Sequence, residues 1–197
     1  MYLYLDTSHE LVVGILDLNF DVITIERNQE RRSASVIHNR VDILLRNQGI
    51  EVSELKGVIV NNGPGSYTGI RVGEGVAKIF ELDGVKVASF LEHEAIALTS
   101  EKGTWIANAF KNEIFSYSWK QGSSPERKMI DLDGVENIDL EPIFSNDTFQ
   151  TTRRITNSKT TLLQNINKIA KFYFERNERQ EPFYYRSLEE EFKVGKS

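Results

Sequence analysis

The sequence predicts an α/β protein in two lobes, and three observations carry that prediction. Apolar strands and helices follow one another as β-β-β-α-β-α-β-α through the first half of the chain. A glycine-rich turn, Gly63-Pro64-Gly65-Ser66-Tyr67-Thr68-Gly69-Ile70-Arg71, joins a short apolar strand to a helix. From Thr104 the strand pattern starts afresh.

Each element has its own signal. Tyr2–Asp6, Leu11–Leu18 and Val22–Arg27 read as three strands joined by tight turns, an antiparallel meander. A helix follows from Ser33, a candidate N-cap, to Gln48, with Gly49 placed to end it. The strand Gly57–Asn61 leads into the glycine-rich turn and a helix to Leu82. Val85–Phe90 is a strand and Glu92–Thr99 a short helix. A boundary near Ser100–Gly103 divides the chain into lobes at 1–101 and 102–197. In the second, Trp105–Phe110 and Ile114–Trp119 are strands across a turn at Lys111-Asn112. Met129–Phe144 is weakly patterned, Thr160–Phe174 has the spacing of one helix, and the tail from Arg176 is charged and expected to be partly mobile. No internal repeat is visible.

Composition narrows the function. With 40% hydrophobic residues in 197, the chain can bury a substantial core. The absence of cysteine excludes disulfides, thiol nucleophiles and cysteine zinc sites, and suits a reducing cytosol. A net charge of -5 argues against autonomous nucleic-acid binding, which needs clustered Lys and Arg, and leaves room for contact through a partner. Arg153-Arg154 and the Lys168–Arg179 region are the basic candidates, each more simply a solvated face. No secretory leader or membrane-length apolar run is visible, so the expected location is cytoplasmic.

Two helices carry more apolar surface than one core requires. Between 69 and 81, Arg71, Glu74, Lys78 and Glu81 occupy a narrow polar wedge, and Gly69, Ile70, Val72, Gly73, Gly75, Val76, Ala77, Ile79 and Phe80 cover the rest. A helix lying on a sheet needs an apolar stripe only about 100° wide. Gly69 and Gly73, one turn apart, suggest a close backbone approach. The helix from Ser33 has Val36 and Ile43 on a second face, beside Arg40 and Asn47. The expected partner-binding face therefore comprises Val36, Arg40, Ile43, Gly69, Val72, Gly73, Val76 and Phe80, burying about 800 Å² per partner if stable.

No catalytic constellation stands out. His9, His38 and His93 are not paired at metal-ligand spacing and read as surface or satisfied histidines. Ser66 is not spaced as a hydrolase nucleophile and fits better as the N-cap of the following helix. Leu3-Tyr4-Leu5-Asp6-Thr7-Ser8 is similar to the first phosphate hairpin of actin-like and sugar-kinase-like ATPases, with Ser8 where that hairpin has glycine. Asp6 either caps the turn or keeps a catalytic role, and the first reading is preferred.

Asp6-Thr7-Ser8 and Gly63–Arg71 together resemble the bacterial TsaB (YeaZ) family, the non-catalytic dimerisation subunit of the complex that makes tRNA threonylcarbamoyladenosine. Glu113-Ile114-Phe115 and Pro182-Phe183-Tyr184-Tyr185-Arg186 resemble two further family segments. Ser33 stands where the family often has His, and Asn108-Ala109-Phe110 where it has Asp-Ala-Arg. The resemblance implies an actin-like ATPase (ASKHA, ribonuclease H-like) fold of two lobes with mixed sheets, the second reduced. It implies a degenerate active site, no cofactor or metal, and a heterodimer with a TsaD-type catalytic paralogue through the two helices. A TsaE-type ATPase would complete the assembly; tRNA would be reached only through it, and the subunit alone would form a homodimer. The alternative is an active ASKHA-type ATPase or small-molecule kinase using Asp6, Thr7, Gly63, Gly65 and Ser66. An endopeptidase finds no nucleophile–base pair here.

Overall fold

The computed structural model describes residues 1–28, 33–110 and 112–185. They pack as two compact units, one of Met1–Glu92 with Ile166–Tyr184 and the other built on His93–Asn165.

The first unit opens with the expected meander: β1 (Tyr2–Asp6), β2 (Leu11–Leu16) and β3 (Val22–Asn28) pair antiparallel. The β2–β3 turn is held by Asp17, whose Oδ1 accepts the N–H groups of Asn19 and Asp21, both at 2.8 Å. β4 (Gly57–Asn61) then pairs parallel with β1, and β5 (Val87–Phe90) parallel with β4. The sheet order is β3-β2-β1-β4-β5. The parallel pairs need crossovers, supplied by α1 (Ser33–Asn47) and α2 (Tyr67–Leu82). The Ser33 side chain, expected as a cap, lies outside the described side chains.

β1 is buried along its whole length, and its alternation sorts the two faces. Leu3 and Leu5 join Ile37, Val41, Leu44 and Leu45 of α1 and Val76, Ala77 and Phe80 of α2 in one core. Tyr2 stacks on Phe20 at 4.3 Å and meets Phe174 edge-on at 4.8 Å, so the helix carrying Phe174 covers the other face.

The second unit contains α3 (Glu92–Ala97) from His93 onward, then β6 (Lys102–Phe110), β7 (Glu113–Lys120), β8 (Glu126–Asp131), β9 (Ile143–Ser145), β10 (Ile155–Asn157) and α4 (Ser158–Gln164). β6, β7 and β8 are antiparallel, β9 is parallel to β6 and β10 to β9. Its order, β8-β7-β6-β9-β10, repeats that of the first sheet. Each unit thus carries a mixed five-stranded sheet with helices, the two-lobed α/β arrangement expected from the sequence.

Several elements differ from expectation, the short strands β9 and β10 among them. The helix foreseen over Thr160–Phe174 is two: α4 starts earlier, capped by Asn157, whose Oδ1 accepts the Thr160 N–H at 2.8 Å. It ends at Asn165, whose amide turns back to the Thr161 carbonyl at 2.8 Å, and α5 (Ile166–Glu175) begins anew. β8 was not foreseen, because its pattern is charged and exposed. The stretch just after Arg176, expected in a partly mobile tail, lies fixed against β5, with the Ser89 N–H bonded to the Glu178 carbonyl at 3.0 Å. Its further course from residue 186, including Arg186 of the quoted motif, lies outside the described residues.

Candidate functional site

Asp6 ends β1 and is fully buried. Its Oδ1 accepts the Ser8 N–H at 2.9 Å and the Ser8 hydroxyl at 2.7 Å. Its Oδ2 accepts the Tyr4 hydroxyl at 3.1 Å and the Asn61 amide at 2.9 Å. The Asn61 amide also reaches Glu92 Oε2 at 3.2 Å, and Asn61 Oδ1 accepts the Gly63 N–H at 3.1 Å. The cluster holds the hairpin and the glycine-rich turn in one hydrogen-bonded body. Burial and the neighbouring Asp6 carboxylate push the Tyr4 phenol well above its ordinary pKa, so it stays a donor.

The glycine-rich turn closes on this hairpin. The Ser66 N–H bonds to the Ser8 carbonyl at 2.6 Å, and the Thr7 hydroxyl to the Gly69 carbonyl at 2.7 Å. Gly63, at φ +104°, occupies backbone space that L side chains disfavour. A Cβ on Gly65 would strike the Ser8 carbonyl, one on Gly69 the Thr7 carbonyl, and one on Gly73 would lie 2.5 Å from Thr7 Oγ1. Ser66 is the N-cap of α2, accepting the Gly69 N–H at 3.3 Å. Of the weak cofactor candidates, Asp6, Thr7, Gly63, Gly65 and Ser66 do come together. Two donors that could face a phosphate are, however, engaged by the chain itself: the Ser8 N–H bonds to Asp6 and the Ser66 N–H to the Ser8 carbonyl. Among the described residues no group of three or more His, Asp or Glu is arranged to hold a metal ion.

Sequence reasoning passed over Asn61 and Glu92, both fully buried in this cluster. The available signal was a polar residue at the end of a wholly apolar strand. His93 is buried too, ringed by Trp105, Phe115 and Tyr117 at 5.8, 5.5 and 4.6 Å. Burial, with the nearby Arg127 cation adding to it, lowers its pKa to about 3. His93 is a neutral core residue.

The expected partner face divides. Gly69, Gly73, Val76 and Phe80 are buried in the interior of the first unit, the glycines against Thr7 and the others in the core with α1. They leave the exposed stripe of α2 to its neighbouring face: Val72, half-buried, then Gly75, Ile79 at 49% and Leu82 at 87% exposure. Nothing lies within 4 Å of the position a Gly75 side chain would take. On α1, which packs beside α2, Val36 is half-buried while Arg40 and Ile43 are exposed. The numbers 72, 75, 79, 82 and 36, 40, 43 step by alternating threes and fours, the spacing of helix seams that interlock with other helices. Among the described residues no helix is long and apolar enough to cross a membrane.

Comparison with known proteins agrees on the relationship. Residues 25–102, from β3 to α3 with both outer helices, match a family model described as TsaD, tRNA N6-adenosine threonylcarbamoyltransferase. The tRNA threonylcarbamoyladenosine biosynthesis protein TsaB of Haemophilus influenzae is 33% identical over 76 residues, 39% of this chain. The matched part spans about a third of that relative, 32% of its length. A Pseudomonas aeruginosa protein described as similar to peptidase YEAZ superposes with a TM-score of 0.67 at 18% identity, covering 94% of this chain and 99% of its own. YeaZ from Pseudomonas aeruginosa gives 0.65 at 18% identity over 92% and 96%. At that identity the two structures speak for the fold.

Proposed function

We propose that this chain is a member of the TsaB/YeaZ family and a non-catalytic subunit that binds and activates a TsaD-type threonylcarbamoyltransferase modifying tRNA. The observation that carries this reading is the stripe of exposed Gly75, Ile79 and Leu82 continuing from half-buried Val72, beside half-buried Val36 and exposed Arg40 and Ile43. Apolar side chains at seam spacing on two adjacent helices favour burial by a second helix pair. The segment matching the transferase family model contains both helices, so the paralogue offers a related pair to pack against. The hairpin and the glycine-rich turn support the pseudo-enzyme half of the proposal, because their polar groups are committed to one another. In this reading the first unit, Met1–Glu92 with Ile166–Tyr184 rather than the expected 1–101, docks the partner and the second completes the subunit. The partners are the transferase and, in the larger assembly, a TsaE-type ATPase. The chain alone pairs with itself, and tRNA is reached through the complex.

The test is a charge on the stripe. Leu82→Glu removes an 87%-exposed side chain from no core, so its thermal midpoint should match wild type while copurification with the transferase falls by about tenfold or more. Cells depending on this variant should lose threonylcarbamoyladenosine from their tRNA, read by mass spectrometry of digested nucleosides. Wild-type copurification would sink the docking face. Mg-ATP turnover by the purified chain, abolished in Asp6→Asn, would overturn the non-catalytic role.

A further inference from the structure

α2 shows three stripes. Gly69, Gly73, Val76, Ala77 and Phe80 face the interior of the first unit, and Gly75, Ile79 and Leu82 face out, with half-buried Val72 at the margin. The third holds Tyr67 and the residues that read in sequence as a narrow polar wedge, Arg71, Glu74, Lys78 and Glu81. It is gripped along much of its length by the segment 178–184, which runs back along the helix after α5.

Arg179 is the centre of that grip. Its Nε donates to Glu81 Oε1 at 2.7 Å, and its two terminal nitrogens to Glu74 at 2.7 and 3.0 Å. One of them also donates to the Ser89 hydroxyl of β5 at 3.1 Å. A planar guanidinium is suited to bridging two carboxylates and a hydroxyl at fixed angles, which a lysine is not. The Glu74 side chain is only 12% exposed and also accepts the Asn62 amide at 2.9 Å. Backbone pins flank the guanidinium. The Gln180 carbonyl accepts from Asn62 and from the Ser89 hydroxyl, both at 2.8 Å, and the Phe183 N–H donates to the Asn62 carbonyl at 2.9 Å. At the start of the helix, Tyr184 packs on the Tyr67 ring at 4.8 Å, with the Arg71 guanidinium 4.7 Å from that ring.

At the hairpin end of its inner face α2 presents Gly69 and Gly73 to Thr7, with no side chain there to interlock and fix its rotation, and the inner packing falls to Ile70, Val76, Ala77 and Phe80. We propose that the 178–184 strap, through Arg179, sets the rotation of α2 about its axis and so presents the outer stripe to the partner. Arg179 is a positioning residue, and its effect on docking rests on the partner-binding role proposed above. Amide hydrogen exchange on the isolated full chain tests the clamp without any partner. In Arg179→Ala, α2 amides should exchange about tenfold faster while those of β1, β2 and β4 keep wild-type protection. Affinity for the transferase should fall by about tenfold in the same variant, with the outer stripe itself untouched. Arg179→Lys, restoring a point charge without the fork, should regain part of both readouts together. Unchanged α2 exchange in Arg179→Ala overturns the clamp, as does an equal rise across both sheets or affinity that recovers in Arg179→Lys without protection. Leu82→Glu separates the two ideas: wild-type binding there sinks the docking stripe and leaves the exchange result standing on the clamp alone.

Discussion

The two sheets share one strand order and differ in what crosses over them. In the first, the β3-to-β4 and β4-to-β5 connections are helices of 15 and 16 residues. In the second, the equivalent β8-to-β9 connection holds a single short helical turn, Asp133–Asn137, and β9 reaches β10 through an irregular loop. β9 and β10 are correspondingly only three residues long. Topology is therefore conserved between the units while the helical layer is not. The surplus apolar surface proposed for docking belongs to the unit that kept its crossover helices. In the second, Val135 and Ile138 plug a smaller core with Ile106, Ile114 and Ile143, and that much suffices.

The contrast can be broken most forcefully at Gly69. Gly69→Ala places a methyl group against the Thr7 carbonyl, which is backbone and cannot rotate away. A loss of about 2–3 kcal/mol in urea unfolding is expected, despite alanine's better helix propensity. A neutral result would mean that α2 does not need its close seat on the hairpin.

An intermediate effect should appear in the second unit alone, through acid. His93 in the folded chain titrates near 3, below its ordinary 6.5. Between those values the unfolded chain binds the extra proton, so folding stability is full above pH 6.5 and declines as pH falls toward 3. Both tryptophans, Trp105 and Trp119, lie in the second unit, and Trp105 touches the imidazole. Tryptophan fluorescence therefore follows this unit specifically. His93→Phe should flatten the dependence of its denaturation midpoint over that window. An unchanged slope would assign acid sensitivity elsewhere.

The smallest effect separates inner from outer glycines of α2. Gly75 is exposed and unobstructed, so Gly75→Ala should stabilise the isolated chain by up to about 1 kcal/mol in the same unfolding assay. Destabilisation would place Gly75 with Gly69 and Gly73 rather than on the open stripe.

The sequence was most legible where burial is two-sided. β1, β4 and the turn to α2 carry continuous apolar runs and obligatory glycines, and their observed bounds match the reading. It was least legible where exposure erases pattern. β8 reads Glu-Arg-Lys-Met-Ile-Asp because it is an edge strand, and charges there guard the open edge without alternating. The doubled strand order leaves no trace as a sequence repeat, since strand pairing is made by backbone. At the candidate site the polar cluster around Asp6 was half visible: Asp6 was singled out, while Asn61 and Glu92 join it only through folding. The helical wheel identified surplus apolar surface on α2 and a polar wedge holding Glu74 and Glu81, without showing what that wedge meets. Nothing local in the sequence announces an Arg from 105 positions away.

The strap has one more consequence, for solubility. β5 is the last strand of its sheet, and an open strand edge invites pairing with other chains. Ser89 at its middle is instead bridged in parallel to Arg179, and its N–H is taken by Glu178. The segment 178–180 thus acts as a stopper on the sheet, and a chain trimmed before Glu178 would expose an adhesive edge as well as losing a clamp.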